Sequence, residues 1–244
     1  MIKLTLPPKP SKLTPQYEQT AVEKYKIDKT AVWNEPFIKE ALMQMSHDKC
    51  IFSEQKLNRQ SAYMEVEHFK CKSLYPNEVL RWGNLMPISK KCNLTKKALD
   101  VLATPIINPL TDNPKAYLFV KGFKYYGRDQ KGKDTIKHTA INDQAHFMSV
   151  RSAIGFGIEE HLETLLDLFK KELDPENQEK TIRKIKCLLS RCLPQEEYSA
   201  VLSTYLLYES KVLTNIEIAL KQSALWDEEL ESTKQTMQQI ALKQ

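Results

Sequence analysis

From about Phe147 onward, apolar side chains return every third or fourth position, and this spacing constrains the fold more than any other feature of the chain. Ile158, Leu162, Leu165, Leu166 and Phe169 fall on one stripe of a helix, so this region must be helical and packed on something apolar. The same reading predicts further helices over 176–192, 195–220 and 225–242. Such stripes build a core or dock another chain, and both uses stay open here. No internal repeat is present.

Upstream the pattern changes. Pro7, Pro8, Pro10 and Pro15 mark an extended N-terminal arm, followed by expected helices over about 18–25 and 35–45. Between 49 and 99 come a short apolar turn, a strand over 62–69, a loop, a second strand over 84–88 and a helix. Asn108-Pro109 and Asn113-Pro114 are turn signals. After them AYLFVKGFKYYG reads as β structure, with Gly127 and the following RDQKGKD as its hairpin turn or loop. The chain therefore divides at about 45 and 146 into an arm with helices, a β-containing middle and a helical C-terminal domain. The fold class is α+β, mostly helical.

Composition narrows the setting. Apolar residues make up 41% of 244, enough for a core, and no run approaches the roughly eighteen apolar residues of a membrane span. The opening MIKLTLPPKPSKL is a poor secretory signal. Five scattered cysteines, an odd number, fit a reducing cytoplasm better than a disulfide scaffold. Residues 49–100 hold ten Lys and Arg against five Asp and Glu, whereas 174–244 hold nine against eleven. The basic excess of the first segment suits an anionic partner such as a phosphate backbone. With six glycines and no G-x-x-x-x-G-K-[ST] loop, the chain is not expected to bind ATP.

Within that basic segment EVEHF places Glu67 beside His68 on a strand of Tyr63, Met64, Val66 and Phe69. Adjacent strand residues face opposite ways unless the strand ends there, so one polar group stands where an apolar one belongs. Asn84 follows His68 by sixteen positions in WGNL, and Asn93 follows Asn84 by nine in CNLTK. Acid-His, Asn-Leu and Cys-Asn-x-x-Lys in this order resemble the HNH, or ββα-metal, nuclease motif. The resemblance implies a ββα-metal core that hydrolyses phosphodiester bonds. A neutral imidazole at His68 would take a proton from water. Glu67 and Asn93 would offer oxygen ligands to one divalent ion, Mg²⁺ or Mn²⁺, which offsets charge on the phosphate. Asn84 would hold the loop and orient His68, while Lys96 and Lys70 would meet phosphate.

Two departures stand out. Many HNH nucleases frame this motif with two Cys-x-x-Cys pairs, and here they read Cys50-x-x-Ser53 and Ser89-x-x-Cys92. Structural zinc is therefore not expected, since closed sites use four Cys or His ligands, although His47 or Cys71 would patch one. IINPLTDNPKAYLFV, KGKDTIKHTAIN and Arg151 extend the similarity to the PtuB-type nucleases of Septu and retron anti-phage systems. That resemblance implies a bacterial cytoplasmic effector with a PtuA-type ABC/SMC-like ATPase partner. The substrate would be DNA or tRNA, and a retron reverse transcriptase with its msDNA would be a further partner. The proline arm and C-terminal helices are candidates for the ATPase contact. His138 is read as structural or superficial, and Arg151 as non-catalytic. The alternative is a catalytically silent module that grips nucleic acid within the same complex.

Overall fold

The computed structural model describes residues 1–57 and 63–244. In chain order the elements are α1 (Pro15–Asp28), α2 (Pro36–Ser46), β1 (Met64–His68), β2 (Leu85–Ser89), α3 (Lys90–Lys96), β3 (Leu118–Lys121), β4 (Lys124–Gly127), α4 (Gln130–Thr139), α5 (Ser149–Lys171), α6 (Pro175–Ser190), α7 (Ser199–Tyr208), α8 (Val212–Gln222) and α9 (Glu228–Ile240). The fold is α+β and mostly helical, with two small two-stranded sheets among the described residues. No helix of the described residues is long and apolar enough to cross a membrane. The first residue of the predicted strand over 62–69, Ala62, lies outside the described residues.

Two compact units divide the chain. One holds residues 1–117 and 127–141, the other 118–126 and 142–244. These boundaries differ from 45 and 146 for a packing reason. The N-terminal helices are not an appendage: Ala21, Tyr25, Ile38 and Leu42 share one core with Val79, Leu80, Trp82 and Leu85. Trp82 also donates from Nε1 to the carbonyl of Pro7 at 2.8 Å, tying the proline arm to the approach to β2.

In the first unit β1 and β2 run antiparallel with His68 opposite Leu85 and Glu67 opposite Met86. Ser89 ends β2 and caps α3, its Oγ accepting from Cys92 N at 3.4 Å. This short helix packs on both strands and on α4. RDQKGKD is mostly helix rather than turn: Asp129 Oδ1 accepts from Gly132 N at 2.8 Å and starts α4. A Cβ on Gly132 would lie 2.2 Å from the carbonyl oxygen of Tyr117, so only glycine allows this approach. The Asn-Pro stretch folds through its own side chains. Asn108 Oδ1 accepts from Leu110 N, Asp112 Oδ2 accepts from Asn108 N, and Asn113 caps a short turn at Pro114–Ala116.

In the second unit α5 buries the predicted stripe against α6, α7 and α8. The helix expected over 195–220 is two, α7 and α8, separated at Glu209–Lys211. The β3–β4 turn sits at Gly122 and Phe123, with φ of 54° and 61°, not at Gly127. Two consecutive positive φ values mark a primed hairpin turn. Arg151 is buried and structural, donating from Nε to Phe123 O at 2.6 Å and from a terminal nitrogen to Asn142 Oδ1 at 3.0 Å. His138 lies in the last turn of α4, half-buried.

Candidate active site

His68 is the last residue of β1, and there strand alternation lapses. Glu67 and His68 are consequently both buried, at 4% and 3% exposure, yet both line one pocket of about 300 Å³ with Asn93. Tyr25, Cys71, Lys72, Ser73 and Lys97 are also on its wall. Glu67, His68 and Asn93 therefore meet across the β1–α3 junction, whereas Asn84, Lys96 and Lys70 do not line this pocket.

The loop between the strands is clamped by one amide. Asn84 Oδ1 accepts from Lys70 N at 2.7 Å, and its Nδ2 donates to the carbonyls of Lys70 at 3.1 Å and Glu78 at 3.2 Å. Holding Glu78 fixes the next carbonyl, Val79, which lies 3.0 Å from His68 Nε2. A carbonyl only accepts, so Nε2 carries the hydrogen and Nδ1 keeps the lone pair. Burial, then the Lys72 charge, lowers the His68 pKa to about 4, against the pull of the Val79 carbonyl. The imidazole is neutral at physiological pH. Trp33 meets its ring edge-on, centroids 4.6 Å apart, and carries the Lys72 ammonium 5.0 Å from its own centroid.

Lys96 lies elsewhere than on the phosphate side. Its side chain is fully buried, its ammonium pairs with Glu67 Oε1, and it donates to the His68 carbonyl at 3.2 Å. Burial raises the Glu67 pKa, while Lys96 pulls it the other way. Lys70 is also committed, to Glu78 at 2.9 Å and to the face of Tyr75. Among the described residues, the cations on the pocket wall are Lys72 and Lys97. Helical spacing could have found Lys97, four residues after Asn93 and so on its face, whereas Lys96 is turned inward. Nothing in the local sequence points to Trp33.

The oxygen donors suit a hard cation. Glu67 Oε1 is buried and, beyond its ion pair with Lys96, has no hydrogen bond among the described residues. Asn93 spends Nδ2 on Glu65 Oε2 at 2.7 Å, which leaves its Oδ1 with no donor among those residues. A carboxylate oxygen and an amide oxygen on one pocket wall fit Mg²⁺ or Mn²⁺. Among the described residues, no group of three His, Cys, Asp or Glu is arranged to hold a metal, so this donor set depends on the amide.

The four knuckle positions also come together. Cys50, Ser53, Ser89 and Cys92 are all buried, and both cysteines are free thiols. Burial pushes the Cys50 thiol up, but hydrogen bonds from Cys92 and Ser53 bring it down to about 5. Cys92 is raised, first by burial and then by its bond to Cys50. His47 is exposed beyond α2, and Cys71 lines the His68 pocket, so neither patches this cluster.

Comparison with known proteins gives the family. The chain is 35% identical over 234 residues to the Septu protein PtuB of Bacillus thuringiensis, covering 94% of this chain and 90% of that one. The chain belongs to the PtuB family of Septu proteins. No family model matches the sequence, and no solved structure matches it. The likeness to PtuB spans both units, so it reaches the C-terminal helices as well as the β1–β2–α3 segment.

Proposed function

We propose that this chain is a metal-dependent HNH endonuclease, the toxic effector of an anti-phage complex with a PtuA-type ATPase in the bacterial cytoplasm. The observation that carries the reading is the convergence of Glu67, His68 and Asn93 on one pocket flanked by Lys72 and Lys97. His68 Nδ1, neutral and held by the Val79 carbonyl through Nε2, takes the proton of the attacking water. Lys72 and Lys97 bind the scissile phosphate and its neighbour. Glu67 and Asn93 would hold the Mg²⁺ or Mn²⁺, which supplies charge stabilisation for the phosphate and the leaving oxygen. Asn84 keeps the loop, and with it the base, in place. The substrate is DNA or tRNA, because this chemistry needs no 2′-hydroxyl. A retron reverse transcriptase and its msDNA are compatible further partners.

One observation favours a second reading. The Lys96 ammonium already neutralises Glu67, as expected of a silent module that only grips nucleic acid. Incubation with plasmid and with total tRNA, with and without the ATPase, in Mg²⁺ or Mn²⁺ separates the two. Nuclease chemistry predicts cutting that His68→Ala abolishes while the fold is kept. Shifted but uncut bands from the wild-type chain support the silent module.

A further inference from the structure

The β3–β4 hairpin sorts its side chains cleanly. Leu118, Val120, Phe123 and Tyr125 are buried within the second unit, while Lys121, Lys124 and Tyr126 are exposed. Phe119 shares the outer face by alternation, and its ring stacks on Tyr126 with centroids 5.1 Å apart and planes 15° from parallel. Tyr126 stays 39% exposed, with one face of its ring turned onto Phe119 and the Lys124 ammonium beside it. The hairpin carries no acidic residue, and neither Lys121 nor Lys124 has a carboxylate partner among the described residues. Lys124 hangs 5.6 Å from the Tyr126 centroid.

The surface continues past the strand. Lys121 lines a cavity of about 290 Å³ with Tyr208 and Lys243, and Lys243 lies 5.0 Å from the Tyr208 centroid. Tyr208 is 43% exposed. Glu209, which also lines this cavity, accepts from Gly122 N at 2.8 Å and so braces the hairpin turn. Arg151 and Asn142 brace the hairpin from behind, through Phe123 O and through both backbone polar groups of Tyr125. The surface is therefore held in shape before any ligand arrives.

We infer that the outer face of the β3–β4 hairpin, continued by Tyr208 and Lys243, is a binding platform for single-stranded nucleic acid. Lys121 and Lys124 complement a phosphate backbone, and a base can stack on the face of Tyr126 turned away from Phe119 as the Lys124 ammonium moves from the ring to a phosphate. An acidic protein surface would pair with the lysines but leave the exposed tyrosine rings unused, whereas a single strand carries both phosphates and stacking bases. The platform uses none of the residues around His68 and goes beyond the nuclease reading.

The test is fluorescence anisotropy of the full-length chain with a labelled 20-mer of oligo-dT or oligo-U in EDTA, where nothing is cut. Lys121→Glu/Lys124→Glu is expected to weaken binding at least tenfold and to flatten the salt dependence by about 1.4 log units per decade of salt. Tyr126→Ala is expected to cost about fivefold or more, and Tyr126→Phe to restore it. Lys180→Glu/Lys184→Glu, on exposed positions of α6, makes the same change in net charge and should shift affinity less than twofold. Unaltered melting curves confirm that the variants fold. An equal loss in both charge-reversal pairs, no loss in the hairpin pair, or no binding by the wild-type chain each overturns the platform. Because no cleavage is read, a failure of metal-dependent cutting leaves the result standing.

Discussion

In the β3–β4 ladder, Leu118, Val120, Phe123 and Tyr125 are buried and the lysines face out, whereas in β1 the adjacent Glu67 and His68 are both buried. The first ladder obeys strand alternation, and its lysines stay hydrated. The second breaks it at its last residue and must supply internal partners, Lys96 for the carboxylate and the Val79 carbonyl for the imidazole. Burying titratable groups costs stability unless they are paired. Each ladder is also clamped by one asparagine, Asn142 on Tyr125 and Asn84 on Lys70 and Glu78. The Asn84 clamp leads on to the imidazole of His68, and the Asn142 clamp to the buried guanidinium of Arg151.

The largest expected difference between the ladders lies in their lysines. Lys96→Met leaves Glu67 buried and uncompensated, and urea denaturation should register a loss of about 3–5 kcal/mol. Adding Glu67→Gln should recover most of it. Lys124→Met, on the outer face of β4, should change stability by no more than about 0.5 kcal/mol. Similar losses at the two sites would erase the contrast.

A second difference appears in acid. Folded His68 titrates at about 4 because of burial and Lys72, while an unfolded histidine titrates at about 6.5. The unfolded chain therefore binds more protons between these values. The contribution of His68 is complete above about pH 6.5 and is lost as pH falls through about 4, to an extent on the order of 3 kcal/mol. Denaturation of wild type and His68→Gln at pH 7 and pH 4 should show the wild type losing that much more than the variant. Equal losses would mean that His68 is not held neutral by its surroundings.

The smallest effect separates the clamps. Asn84→Ala strands one N–H and two carbonyls and should cost about 2 kcal/mol, with Asn84→Asp costing at least as much because it sets a buried carboxylate oxygen against the carbonyls of Lys70 and Glu78. If nuclease activity is present, kcat should fall more than KM rises, since the base is misplaced while Lys72 and Lys97 still hold the phosphate.

Much of this was legible in the sequence, and the failures have physical causes. The α5 stripe is one-sided, so its period is visible. The helix expected over 195–220 hides a break: from Ser199 to Leu206 every residue of α7 is buried, so no polar face marks where it ends, and the break before α8 has no glycine or proline. Gly127 resembled a turn glycine, but the turn is at Gly122, and Gly132 allows close packing rather than a bend. At the site, order and spacing brought Glu67, His68, Asn84 and Asn93 into view. The choice of Lys96 over Lys97 required knowing which side of a seven-residue helix faces inward. Trp33 reaches His68 only through tertiary packing.

The central claim is that a carboxylate and an amide hold one cation beside a neutral imidazole. Titration of the full-length chain with Mn²⁺, followed by the loss of its free-ion paramagnetic resonance signal, addresses it directly. One ion per chain is expected, with affinity falling about 10–100-fold in both Glu67→Gln and Asn93→Ala. Unchanged binding in these folded variants, or no binding by the wild type, would contradict the account.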